Sequence, residues 1–167
     1  REAFTGPFEA IDLAHEGGPD EDFWFDFVAD TGDGSSATTA VAQALLAPRL
    51  QPQWRGHEDA EAARAHPDGL PTGRLLVLGG DLAYPGASPE HYQARLVEPF
   101  ELARPTAAFD PRKIVVAIPQ NHDWMDSLST FCRYFVNHPR SGLLKARAPQ
   151  RRSYFALALP HGWTMLG

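Results

Sequence analysis

Arg74-Leu-Leu-Val-Leu-Gly-Gly-Asp-Leu-Ala-Tyr84 is the stretch from which the fold of this chain is read. A run of apolar residues, a Gly-Gly break and then an aspartate predict a short buried strand, Leu75–Leu78, that presents one carboxylate at its carboxyl end. The same grammar recurs on either side. Residues 23–29, Phe-Trp-Phe-Asp-Phe-Val-Ala, lead into Asp30-Thr-Gly-Asp-Gly34. Residues 113–119, Lys-Ile-Val-Val-Ala-Ile-Pro, lead into Gln120-Asn-His-Asp123. Three predicted strands therefore each finish in hard-oxygen or imidazole side chains.

Helical segments separate them. Thr38 or Thr39 is a cap candidate for a helix over 40–47, which Pro48 stops. Ser88-Pro89-Glu90 supplies a cap, a proline at the first helical position and an acid for the helix dipole, so a helix should run from there to about Leu102. A third helix is expected over 127–136, with Leu128, Phe131, Cys132 and Phe135 on its inner side. Residues 49–73, rich in Pro, Gly and charge, read as an insertion holding one short helix at 58–65. Asp26 interrupts the first strand, so one edge or end of it should reach solvent. Residues 1–22 read as an irregular lead-in, and residues 23–167 as the domain. At the end, residues 154–160 and 163–167 read as two strands joined by a turn at Pro160–Gly162. The second strand stops in apolar residues, which predicts that the domain is longer than these residues. Alternating strands and helices imply an α/β fold with parallel pairing, and ligands then bind beyond the carboxyl ends of the strands.

Composition narrows the function. A length of 167 residues with 43% hydrophobic side chains can bury a core as one domain. The net charge of −6 argues against a nucleic-acid-binding patch. It leaves room for a phosphorylated small molecule or other phosphoester, because metal ions reverse the local sign. No apolar run reaches the length of a membrane segment. The single Cys132 and the lack of a visible signal peptide lean towards a reducing, cytoplasmic compartment.

The strand-end residues suit a dinuclear metal centre. Two cations a few ångströms apart activate water and clamp the oxygens of a phosphoester. Such a pair needs a bridging carboxylate, and Asp81 is the natural bridge. Asp30 is the separate carboxylate, and Asn121 offers a carbonyl oxygen. His122 is positioned in the sequence to protonate a leaving alkoxide, with Asp123 as a possible orienting partner. Plain alternatives exist for each. Asp30-Thr-Gly-Asp-Gly34 is good turn chemistry, Asn121-His-Asp123 can be a turn into a helix, and Trp124 can wall a site or pack against the sheet.

Together, Asp30-Thr-Gly, Gly80-Asp-Leu-Ala-Tyr84 and Asn121-His-Asp123 resemble the first three blocks of the calcineurin-like metallophosphoesterases, most of all the purple acid phosphatase branch. The resemblance spans about residues 23–126. Gly32 stands where most of that superfamily has a histidine, as in the purple enzymes, and Tyr84 matches their metal-ligating tyrosine. The resemblance implies a sandwich of mixed β-sheets flanked by helices. It also implies a first metal on Asp30, Asp81 and Tyr84, a second on Asp81 and Asn121, and His122 as the acid facing the substrate. The implied activity is phosphoester hydrolysis by a metal-bound hydroxide. The implied metals are Fe(III) with Zn, Mn or Fe(II), or Mn or Zn at both sites if Tyr84 is not a ligand.

Two features depart from that pattern. The family's third block begins with glycine where this chain has Gln120, which would be strained if the backbone there has positive φ. The family's later histidine ligands, including a Gly-His-x-His, have no counterpart among His15, His57, His66, His91, His138 and His161. The rival expectation is a domain of the same fold that has lost catalysis and serves as a binding or scaffolding module.

Overall fold

The computed structural model describes residues 9–53, 60–104, 110, 112–136 and 143–167. At its centre lies a parallel sheet in the order β2 (Phe25–Val28), β5 (Leu75–Leu78) and β6 (Ile114–Ala117). A second, mixed sheet runs in the order β1 (Ile11–Asp12), β7 (Ala156–Ala158) and β8 (Thr164–Leu166), with β1 parallel and β8 antiparallel to β7. A small antiparallel pair, β3 (Arg49–Leu50) with β4 (Leu70–Pro71), completes an α/β architecture.

β5 and β6 are buried at every position, and their residues alternate between two cores. Leu76, Leu78, Val115 and Ala117 pack on the helices. Leu75, Val77, Ile114 and Val116 face the second sheet, against Leu13, Phe155, Leu157 and Leu159. The central sheet is thus covered by helices on one side and by the second sheet on the other. β2 lies at its edge, and Phe25 and Phe27 are exposed there. The expected interruption at Asp26 has a structural cause. Its Oδ2 accepts Nζ of the buried Lys113 at 2.9 Å and the Gly73 amide at 3.1 Å, tying β2 to the segments that enter β6 and β5. On the far side, Arg147 continues the ladder beside β6, and the buried Gln150 amide pairs with both backbone groups of Ala117. That edge is thereby covered.

The helices agree with expectation more closely in the middle of the chain than near its start. Ser88 caps α3 (Pro89–Tyr92), its side chain accepting the His91 amide at 3.2 Å. The helix continues through a π-helical turn, Gln93–Val97, into α4 (Glu98–Ala103). The wide turn lies immediately ahead of Pro99, which has no N–H to donate to the carbonyl one turn back. By contrast, α1 (Ser35–Leu46) starts earlier than expected, with Gly34 as its cap and no side-chain capping bond. Thr38 lies inside this helix, buried, with its hydroxyl donating to the Thr31 carbonyl. The short helix expected at 58–65 is α2 (Ala60–Ala65), and 58–59 fall outside the described residues. It sits between β3 and β4, so the expected insertion closes on itself as a hairpin. The predicted lead-in holds β1, and the adjoining Leu13 is fully buried. The helix expected at 127–136 divides into a 3-10 turn, Asp123–Asp126, and α5 (Ser129–Phe135), with Ser127 and Leu128 left-handed between them. No helix among the described residues is long and apolar enough to cross a membrane.

Candidate functional site

The three strands of the central sheet deliver their terminal loops to one end, and backbone hydrogen bonds lock the loops together there. The Asp30 amide donates to the Gly80 carbonyl at 3.0 Å, Gly32 to Asp81 at 3.1 Å and Tyr84 to Gly32 at 3.0 Å. Gly32 is needed for this approach, because a Cβ there would lie 2.7 Å from the Ala83 backbone nitrogen. No other residue type, histidine included, fits Gly32 in this loop arrangement. Asp30 and Asp81 both hold left-handed backbone, with φ of 56° and 52°. Such backbone costs an L-residue about 1 kcal/mol or more, and strain of this kind tends to collect at functional positions.

Two carboxylates and a phenol meet at the end of β2 and β5. Tyr84 Oη lies 3.1 Å from Asp81 Oδ2 and 3.3 Å from Asp30 Oδ1. Burial, reinforced by Asp81 and then Asp30, pushes the Tyr84 phenol up to about 12. One hydroxyl proton therefore serves two anionic neighbours. The remaining oxygen of Asp81, Oδ1, accepts the His122 amide at 3.1 Å. The His122 ring stands edge-on to Tyr84, with centroids 4.6 Å apart, and its Nδ1 lies 3.0 Å from the Pro85 carbonyl. A carbonyl only accepts, so Nδ1 carries the proton and Nε2 is the nitrogen left for chemistry.

Asp123 has a different task from the expected one. Its side chain is fully buried, and it does not orient His122. Oδ2 accepts the amides of Asp81 at 2.8 Å and Gln120 at 2.9 Å, and Oδ1 accepts the Leu82 amide at 3.4 Å and the Tyr92 hydroxyl at 2.5 Å. Burial and the Asp123 charge push the Tyr92 phenol far above its ordinary range, so it remains a donor. Asp123 is a clasp that joins the ends of β5 and β6. The Pro85 carbonyl, which no side-chain pattern reveals, is the group that orients His122.

Gln120 is not strained. Positive φ falls instead on Asp30, on Gly80 and on Asp81. The Gln120 amide group donates to the Gly79 carbonyl at 3.1 Å, and its backbone closes against Gly80. Asn121 stands in the turn beside His122 with its side chain exposed. No hydrogen bond joins it to Asp30, Asp81 or Tyr84 among the described residues. The expected set thus divides in two. Asp30, Asp81, Tyr84 and His122 are linked through Tyr84, which touches each of the other three, and Asn121 is only adjacent.

The donor chemistry fits one hard cation. Asp30 Oδ1, Asp81 Oδ2 and Tyr84 Oη converge as three hard oxygens, and a cation there would reverse the field that keeps the phenol protonated. Acidic, histidine and cysteine side chains alone form no metal-holding group of three among the described residues, and the Tyr84 phenol is the third oxygen of this cluster. No protein-family model, curated protein or solved structure matches the chain.

Proposed function

We propose that this chain carries the strand-end half of a dinuclear metal-dependent phosphoesterase site, on a fold of the calcineurin-like metallophosphoesterase type. The observation that carries the reading is the meeting of Asp30, Asp81 and Tyr84 at the ends of two adjacent parallel strands, with His122 alongside. Asp30, Asp81 and Tyr84 would hold the first metal, and Asp81 and Asn121 would contribute to the second. Bound there, the metals supply Lewis acidity to a water and to the phosphoryl oxygens. Fe(III) paired with Zn, Mn or Fe(II) suits the phenol, and Mn or Zn at both positions is the choice without it.

The residues of the chain do the rest. Asp81 has one oxygen towards Tyr84 and the other on the His122 amide, which keeps carboxylate and imidazole in fixed relation. The Pro85 carbonyl holds Nδ1–H of His122, so Nε2 is the atom that faces the leaving alkoxide, and the imidazolium form of the ring would give its Nε2 proton there and return to the neutral Nδ1–H tautomer. Asp123 keeps both loops in register from beneath.

The second reading is a fold that binds without catalysis, favoured by the exposed Asn121 and by the absence, among the described residues, of a group of three acidic, histidine or cysteine side chains that could hold a metal. Hydrolysis of p-nitrophenyl phosphate and its bis-ester by protein loaded with Mn²⁺ or Fe³⁺/Zn²⁺ separates the two. Turnover that disappears in Asp81→Ala supports the enzyme. No turnover with any metal, together with no metal retained on purification, leaves the binding module.

A further inference from the structure

The segment after His122 carries an unusual arrangement of side chains. From Gln120 to Ser127 the backbone runs in 3-10 turns: the Asp123 amide donates to Gln120, Met125 to His122 and Ser127 to Trp124. In such a helix, side chains three residues apart lie one above the other, about 6 Å apart along the axis. Three columns follow. Asp123 and Asp126 form the inner one: Asp123 is fully buried, and Asp126 is partly buried and caps α5 through the Thr130 amide. Asn121 with Trp124, and His122 with Met125, form the outer two.

Each outer column pairs a polar residue of the candidate site with a large apolar side chain one turn further on. Both apolar side chains are open, Trp124 at 57% and Met125 at 61% exposure. Met125 lies over the same loop that holds His122, since its Sδ would sit 3.4 Å from a Cβ placed on Gly86, next to Pro85. Neither residue belongs to the cores that the neighbouring Leu128 and Phe131 complete. The sequence left Trp124 equally suited to a wall or to burial, and burial is not what it does.

Resting on the phosphoesterase reading, we propose that Trp124 and Met125 form an apolar shelf that receives the organic group of the ester, and that the substrates are phosphoesters of aromatic or otherwise apolar groups. The spacing suits this role. A phosphoryl group at Asp81 and His122 puts its ester substituent about one 3-10 turn away, where the indole and thioether offer a flat, polarisable surface. A strongly charged substituent would instead meet apolar side chains on a chain of net charge −6.

The test compares phenylphosphonate with methylphosphonate, two non-hydrolysable ligands that differ only in that substituent, by calorimetry on the metal-loaded full chain. Phenylphosphonate should bind about tenfold more tightly. The preference should fall close to unity in the Trp124→Ala/Met125→Ala double variant and persist in Trp124→Phe. A preference unchanged in the double variant, or no preference in the parent, overturns the shelf while leaving the phosphoesterase reading intact. Failure of both phosphonates to bind, with no turnover of phenyl phosphate, overturns that reading and the shelf together.

Discussion

Two groups of carboxylates at the same end of the central sheet live under opposite conditions. Asp123 is sealed from water and receives three amides and one hydroxyl, so its charge is fully met by the chain. Asp30 and Asp81, in the loops after β2 and β5, stand on strained backbone and share the single proton of Tyr84. A carboxylate whose lone pairs are spent on the backbone holds shape. Carboxylates that converge with lone pairs to spare are what a cation needs. The contrast separates a supporting carboxylate from the candidate ligands at one end of the central sheet.

The largest effect should come from breaking the support. Asp123→Ala strands buried donors from β5, β6 and α3, each costing about 1–3 kcal/mol, so stability in urea should fall by at least about 3 kcal/mol. A loss below about 1 kcal/mol would mean that the clasp is not what joins the strand ends. Gly32→Ala comes next. Its new methyl meets the Ala83 backbone, which cannot rotate away, and a loss of about 2 kcal/mol in the same measurement is expected.

Changes in the open pair should be smaller in stability and larger in chemistry. Tyr84→Phe removes the one hydroxyl between two carboxylates and should cost about 1 kcal/mol without metal. With iron bound, it should also remove any tyrosinate-to-metal colour. The ionisation of Tyr84, raised from 10.0 to about 12, gives this region a pH signature. Burial and negative neighbours disfavour the phenolate in the folded state. The folded chain therefore keeps its proton where the unfolded chain has lost it. The stability this contributes is whole below pH 10 and disappears as pH rises towards about 12, reduced by the partial exposure of the ring. In a spectrophotometric titration read against Tyr84→Phe, Asp81→Asn should bring the Tyr84 transition back towards its ordinary value. The smallest effect belongs to Gln120→Gly. With no positive φ to relieve, it should destabilise by about 0.5–1 kcal/mol through lost backbone restriction and lost bonding to Gly79.

What could be read from residues alone follows from how local each signal is. Leu75–Leu78 and the Ser88 cap were legible because their determinants are contiguous: an unbroken apolar run with a glycine stop, and a Ser-Pro-Glu start. The start of α1 was not. Two threonines look like caps, but the Thr38 hydroxyl is taken by the Thr31 carbonyl within a tight loop, and Gly34 takes the cap position. Two-residue strands such as β1 and β3 carry no period and exist only through their partners. At the candidate site, the gathering of Asp30, Asp81, Tyr84 and His122 at one end of the sheet was legible, and the directions of their neighbours' side chains were not. Asp123 next to a histidine suggests a relay, yet the 3-10 turn rotates it inward onto amides. Positive φ that would have strained Gln120 is found instead at Asp30, Gly80 and Asp81, in the loops after β2 and β5.

The most direct measurement is the binding of metal to the three oxygens. Calorimetric titration of the chain with Mn²⁺ and with Fe³⁺/Zn²⁺ should show binding that Asp30→Asn weakens and Asp81→Asn removes, while Asp123→Asn, in whatever fraction remains folded, retains it. Equal binding in the parent and in Asp81→Asn, or no binding in the parent, would contradict a metal site at the ends of β2 and β5.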